Sequence, residues 1–230
     1  MKVSVALMML GAVLPLIAAK ESEPAARLRE SAIVFTEIMA APDKGIPQDL
    51  LERAYCVVIV PGMKKGAFIV GAQFGKGFIS CRGPAHMGWS APASVRVEGG
   101  SFGFQIGGSE TDVVMLVMNQ RGADKLLTSE FTLGGEADIA AGPVGRSATA
   151  QTDAMMHAEI LSWSRSRGVF AGIALKGATL REDLDNNEKM YGKRLENREV
   201  VSSGIAPPMM ARRLMVLLNR YSFHEKGKTE

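Results

Sequence analysis

The feature that most constrains this chain is alternation with a period of two, in which one of the two sides is repeatedly glycine. In "SFGFQIGG" (Ser101 to Gly108), Phe102, Phe104 and Ile106 share one side of an extended chain and Gly103, Gln105 and Gly107 the other. Earlier, Phe68, Val70, Ala72 and Phe74 stand against Ile69, Gly71 and Gln73, and in "ASVRVEGG" Val95 and Val97 stand against Arg96 and Glu98. That period belongs to β-strands, and a strand bare on one side lets another layer approach its backbone closely. Two runs, "CVVIV" (Cys56 to Val60) and "TDVVMLVMN" (Thr111 to Asn119), are apolar enough to read as buried strands.

Glycine at this density raises the question of phosphate binding. "VGAQFGKGF" (Val70 to Phe78) resembles a phosphate loop only loosely. Such a loop needs G-x-x-x-x-G-K-[ST] opening a helix. Here Gly71 and Gly75 are one residue too close, Gly77 replaces the hydroxyl residue, and "GFISCR" continues as strand. The glycines are strand glycines and no nucleotide site is expected.

The rest of the chain supplies helices. Glu23 to Ala40 carries Ala26, Leu28, Ile33, Val34 and Ile38 near helical spacing and reads as an amphipathic helix. A turn and a short helix started by Pro47 follow, and "PGMKKG" reads as a turn with Lys64 and Lys65 at its tip. Further on come a short helix around "RGADKLLTSEF", a strand in "GEADIAAGPVG", and a hairpin from Ala158 to Leu180 tipped by Arg165-Ser166-Arg167-Gly168. "REDLDNNEKMYG" is a short helix and "PPMMARRLMVLLNRY" an amphipathic closing helix. Short strands between terminal helices predict an α+β fold, a single antiparallel β-sheet-rich domain with helices at its N- and C-terminal ends. At 230 residues and 47% hydrophobic, the chain can bury one substantial core.

Residues 1–19 are set apart. One early Lys2, an apolar run from Val3 to Leu16, and Ala18-Ala19 before Lys20 follow the order of a secretory signal peptide. The expected organisation is a signal peptide at 1–19, a domain at 20–222 and a polar tail at 223–230. The expected location is periplasmic or extracellular, with peripheral membrane association. Loss of Lys2 takes the formal net charge from +3 to +2, so attraction to anions must come from local clusters.

Catalytic motifs are weak. "GGSFG" (Gly99 to Gly103) matches the nucleophile-elbow pattern, but an elbow needs strand, sharp turn and helix, and an alternating strand follows Ser101. His86, His157 and His224 stand in no recognisable triad setting, and the scattered histidines and cysteines have no metal-ligand spacing. The chain is read as a non-enzyme with no cofactor and no metal. Its basic residues hold more interest: Lys64 and Lys65 at one expected tip, Arg165 and Arg167 at another, with Lys76 and Arg82 near strand turns. Converging tips would suit anionic head groups. Nucleic acid is not expected, since net charge is small and no aromatic platform interleaves the cations.

Taken in order, "VIVPGMKKGAFIVGAQFGKGF", "GWSAPASVRV", "GGSFGFQIGGSETDVVMLVMN", "AAGPVGR" and "WSRSRGVFAGIALKGATL" resemble the SYLF domain. That module belongs to yeast and animal actin-patch adaptors and also occurs alone in bacterial exported proteins. The resemblance runs from about Leu28 to Gly192, with Trp163 where the family usually has tyrosine. It implies a non-enzymatic module that binds phosphoinositide or, in an exported bacterial member, anionic phospholipid at a membrane surface. It also implies a membrane-contacting helix, mapped here onto Leu28, Ile33 and Val34, and head-group contacts from Lys64, Lys65, Arg165 and Arg167. Export argues against cytosolic actin as a partner. A periplasmic interaction or envelope-structural module without lipid specificity is the alternative, and a serine hydrolase at Ser101 a remote one.

Strand pairing yields an expectation for Cys56 and Cys81. If "PGMKK" and "FGKG" each close a hairpin, the two cysteines flank one central strand about 10 Å apart, beyond the reach of a disulfide. They are therefore expected as free, buried thiols. The signal peptide is tested by sequencing the N-terminus of natively expressed protein. A start near Lys20 is expected, and a soluble cytosolic form retaining Met1 would refute it.

Overall fold

The computed structural model describes residues 21–222 apart from 42–44, 68–69, 84–85, 103–106, 145–156, 167–168, 173–174 and 176. The expected signal peptide and tail, Arg167 at the second tip, and Phe68, Phe104 and Ile106 of the alternating runs lie outside the described residues.

Among the described residues the strands are β1 (Cys56–Ala67), β2 (Val70–Cys81), β3 (Ala93–Phe102), β4 (Gly107–Val117), β5 (Glu130–Thr132), β6 (Ile139–Ala141), β7 (Ile160–Ser166), β8 (Val169–Gly172) and β9 (Thr179–Glu182). They form one nine-stranded sheet in the order β5-β9-β3-β2-β1-β4-β7-β6, with β8 also paired to β7. All pairs are antiparallel except β6 with β7. The sheet curls, because β5 and β6, at opposite ends of that order, are consecutive in the chain. Leu133 bridges to Ala137, and the Gly134 amide donates to the Ala137 carbonyl at 2.9 Å.

β1 lies mid-sheet because its side chains are apolar on both faces. Cys56, Val58 and Val60 enter the core inside the curl with Val95, Met115 and Leu180. Val57 and Ile59 point the other way, to Phe78, Val114, Leu116 and Trp163. Helices cover this outer layer: α1 (Glu23–Ala40) with Leu28, Phe35 and Ile38, α2 (Gln48–Arg53) with Leu50 and Leu51, and a closing helix described below. On the other side lie α3 (Gln120–Leu126) and α5 (Asn197–Ser202), while α4 (Leu184–Tyr191) adds Met190 to the outer layer. α4 is capped at both ends: Asp183 accepts from the Asn186 amide, and Gly192 takes a left-handed φ of 70°. The closing element is a 3-10 turn, Met209–Ala211, running into α6 (Arg212–Tyr221). The α+β class and α1 are as expected; α5 carried no signal that was read in the sequence.

Two expected turns are strand. β1 runs through "PGMKKG", with the ladder shifting between Val60 and Met63 against β4 and between Ile59 and Lys64 against β2. A proline can sit in a strand at a bulge, where no ladder donor is required. Gly62 supplies the positive φ of 59°, and its amide donates to the Asp112 carboxylate at 2.9 Å. Lys64 and Lys65 therefore lie along β1 and not at a tip. "FGKG" is likewise interior to β2, with Gly75 opposite Val97 and Lys76 opposite Arg96. Gly77 is required there, because a β-carbon on it would lie 2.0 Å from the Ile59 carbonyl oxygen of bulged β1.

The hairpin consequently closes beyond Ala67, and Cys56 falls directly opposite Cys81. Their α-carbons are 3.9 Å apart and the sulfurs form a disulfide. The expectation of free thiols was wrong because it placed a strand between them, and that strand does not exist. Alkylation of denatured, unreduced protein should therefore modify neither cysteine. Reducing a bridge that spans 25 positions should cost roughly 3 kcal/mol of stability by loss of its constraint on the unfolded chain. Two alkylated cysteines, or a denaturation midpoint indifferent to reductant, would contradict the pairing.

Candidate functional site

The closing helix divides into two faces. Ala211, Leu214, Met215 and Leu218 are buried against the outer layer of the core. Opposite them, Arg213, Val216 and Arg220 of α6 recur at spacings of three and four as one outward stripe, and exposed Met209 of the preceding 3-10 turn lies four residues before Arg213. Met209 is 80% exposed and Val216 57%, values that apolar side chains in a folded domain need a reason to show. Arg212 and Arg213 are exposed at the helix start and Arg220 in its last turn. Among the described residues these three arginines make no ion pair, and α6 contains no acidic residue.

The far end of α6 is pinned. Ser222 Oγ donates to the Leu218 carbonyl at 2.6 Å and accepts from Trp89 Nε1 at 2.8 Å. Arg82 donates to the Ser222 carbonyl at 2.9 Å and stacks over the Trp89 ring at 4.0 Å. Arg82, expected near a turn, is thus a structural cation, and its burial lowers its pKa to about 10. Phe35 of α1 packs edge-on against Tyr221, ring centres 5.9 Å apart. These contacts fix which way the stripe faces.

The residues expected at the membrane lie elsewhere. Leu28 and Val34 point inward and are buried with Phe35 and Ile38, and Ile33 is half-buried beside Glu30, Gly62 and Asp112. The outward face of α1 carries Glu23, Glu30 and Glu37, while Arg27 and Arg29 pair with Glu23 and Glu21. Lys64 is exposed but stands opposite Glu110 in the ladder, and Lys65 is half-buried. Lys76, another expected turn cation, pairs with Glu23 and Asp183.

Arg165 holds two elements together. It contacts Glu37 of α1, and its Nε and Nη2 reach one Asp112 oxygen at 2.6 and 2.5 Å. Burial raises the Asp112 pKa, opposed by the Gly62 amide and reinforced by Glu110 and Glu30; burial likewise lowers that of Arg165. Both groups are partly withdrawn from water, so each depends on the other's charge. Arg165 and the two lysines do not converge on a cationic tip.

Ser101 has no elbow around it. It pairs with Gly71 and continues into Phe102 as strand, near the end of β3 and not at a strand start as expected. His86 lines a cleft bounded by Tyr55, Cys56 and Cys81, and His157 lines a different one with Lys125 and Glu159. No helix among the described residues is long and apolar enough to cross a membrane. The stripe on α6 was not singled out in the sequence, where the closing helix reads only as amphipathic. Two arginines and two apolar residues at helical spacing, with no acid between them, were legible from Met209 to Arg220.

A family model described as Ysc84, Las17-binding protein actin regulator, matches residues 98–221. Over 214 residues, 91% of this chain, the sequence is 34% identical to SH3 domain-containing YSC84-like protein 1 of Rattus norvegicus and 33% to that of Homo sapiens. It is 33% identical over 209 residues to LAS seventeen-binding protein 3 of Saccharomyces cerevisiae. The match spans 61% of the rat relative's length, 60% of the human one and 44% of the yeast one.

The Asp112–Arg165 pair is testable on its own. Asp112→Ala strips Arg165 of one carboxylate and the Gly62 amide of its acceptor, and should cost roughly 2–3 kcal/mol, a partly exposed version of a broken buried pair. Asp112→Asn keeps an acceptor for Gly62 and should cost less. Equal urea midpoints for wild type and Asp112→Ala would show that the bulge needs neither contact.

Proposed function

This chain belongs to the Ysc84 family of Las17-binding actin regulators, the family that the SYLF-like motifs indicate, and from that premise we propose that it is a non-catalytic module that seats α6 on an anionic phospholipid surface. The observation that carries this reading is the α6 stripe: exposed Val216 between Arg213 and Arg220, with exposed Met209 just before the helix and Arg212 alongside. An interfacial helix needs apolar side chains to enter the acyl boundary and cations to meet head groups. Three arginines supply about 1 kcal/mol each near an anionic leaflet. The outer face of α1 carries glutamates and cations largely paired with one another, so it offers that surface little net attraction and is not the contact in this reading. With export through the segment expected at 1–19, the surface is one outside the cytoplasm.

A second reading rests on the relatives. One is named for binding LAS seventeen, which favours a protein ligand for the shared domain. Such a ligand would be bound without dependence on lipid charge.

Vesicle co-sedimentation separates the two. Wild-type protein should bind phosphatidylglycerol-containing vesicles and release them as salt rises. Arg212→Gln, Arg213→Gln and Arg220→Gln together should weaken binding about a hundredfold, from roughly 3 kcal/mol of lost attraction. Stability should change by no more than about 0.5 kcal/mol, since the sites are exposed. Lys64→Gln should have a smaller effect, because Glu110 offsets its charge. Binding by the triple variant as tight as by wild type would remove α6 from the contact, and binding indifferent to vesicle charge would favour the protein-partner reading.

A further inference from the structure

A cleft of about 570 Å³ opens where β1 begins and β2 ends, on the side of the sheet away from α6. Its wall includes the Cys56–Cys81 disulfide and the half-buried ring of Tyr55, with Ala123 and Leu127 near α3 and Val201 of α5. That is an apolar lining of a volume suited to a small organic molecule.

The cleft's charged groups are two arginines and one carboxylate, among neutral Tyr55, Gln120 and Ser202. Arg198 stands exposed at the rim, and one of its nitrogens donates to the Asp124 carbonyl at 3.0 Å. The Asp124 carboxylate, the one acidic group among the described residues of the lining, accepts from Gln120 at 2.9 Å. Arg82 borders the cleft with three hydrogen bonds, all to main-chain carbonyls, of Leu51, Glu52 and Ser222. Its Nε is buried without a hydrogen-bond acceptor, and among the described residues no carboxylate lies within ion-pair distance of it. A guanidinium whose hydrogen bonds all go to neutral carbonyls is left with partial compensation only, from the more distant Glu52 carboxylate, and burial lowers its pKa to about 10. His86 completes the rim: it holds a left-handed φ of 58°, a region that non-glycine residues occupy sparsely, with its ring edge-on to Tyr55 at 4.2 Å. Such conformations concentrate at ligand sites.

We propose that this cleft binds a small amphipathic organic anion, its body against the disulfide, Tyr55 and Leu127 and its acidic group toward Arg82, Arg198 and His86. The site is separate from the α6 stripe and does not rest on the membrane reading. The body can be aliphatic or aromatic, and the test distinguishes these.

The full chain is titrated calorimetrically with dodecanoate and with 8-anilinonaphthalene-1-sulfonate below their aggregation limits, with dodecyltrimethylammonium as the cationic control. Saturable binding at one site by either anion, with the cation at least about tenfold weaker, is expected; which anion binds names the body. Ser202→Trp, which fills the exposed mouth, should abolish binding. Arg198→Ala should weaken it about tenfold by removing a charge-assisted contact. Circular dichroism confirms that both variants are folded. No saturable binding by either anion overturns the proposal, as does binding unchanged in both folded variants or equal for anion and cation. Both variants keep the α6 stripe, so their vesicle association should match wild type, and failure of either reading leaves the other measurable.

Discussion

A strand that is apolar on both faces cannot lie at an edge or against water. Cys56 to Val60 is such a strand, and almost everything else in this fold answers its demand for two covers. One cover is the sheet itself, which curls until β5 and β6 meet through Leu133 and Ala137 and close a core over Val58 and Val60. The other is a layer of helices from the two chain ends, α1 and α6, packed over Val57 and Ile59. The terminal helices are therefore roof beams for the central strand. Their buried sides are committed to it, and only their outer faces remain for partners.

That division decides what each helix can offer. α1 contributes Leu28, Val34, Phe35 and Ile38 to the core and turns outward a row of glutamates with arginines largely matched to them. α6 spends Leu214, Met215 and Leu218 inward and turns out arginines with no acidic neighbour on the helix, with exposed Val216 between them and exposed Met209 just before. Charge on a surface matters to a partner as net local field, so paired cations count for little and unmatched ones for much. The same logic marks Arg82, whose bonds to neutral carbonyls lock the end of α6 in place while leaving its charge facing the cleft beside the disulfide.

The bulge at Pro61–Gly62 links fold and charge. By letting β1 continue through a proline, it lengthens the β1–β2 hairpin and brings Cys56 opposite Cys81. Its exposed amide is taken by Asp112, and Asp112 in turn takes Arg165. An arginine that by sequence belonged to a solvent-facing hairpin tip is instead an internal tie between β7, β4 and α1.

Much of this was legible in the residues alone. Period-two runs, two apolar strands and the near-helical spacing of Glu23 to Ala40 determined a sheet-rich α+β domain with terminal helices, and the ordered motifs determined its family, because side-chain periodicity and local composition are properties of the chain itself. Pairing is not such a property. Whether Pro61-Gly62 ends a strand or bulges within it depends on an acceptor fifty residues away, Asp112, and from that one local outcome follow the register, the disulfide and the fate of Arg165. Which face of an amphipathic helix is outside, and whether its cations find carboxylates, likewise depends on neighbours distant in sequence. Tertiary structure alone decided these, because hydrogen-bond satisfaction and charge compensation are settled between segments and leave no mark within either one.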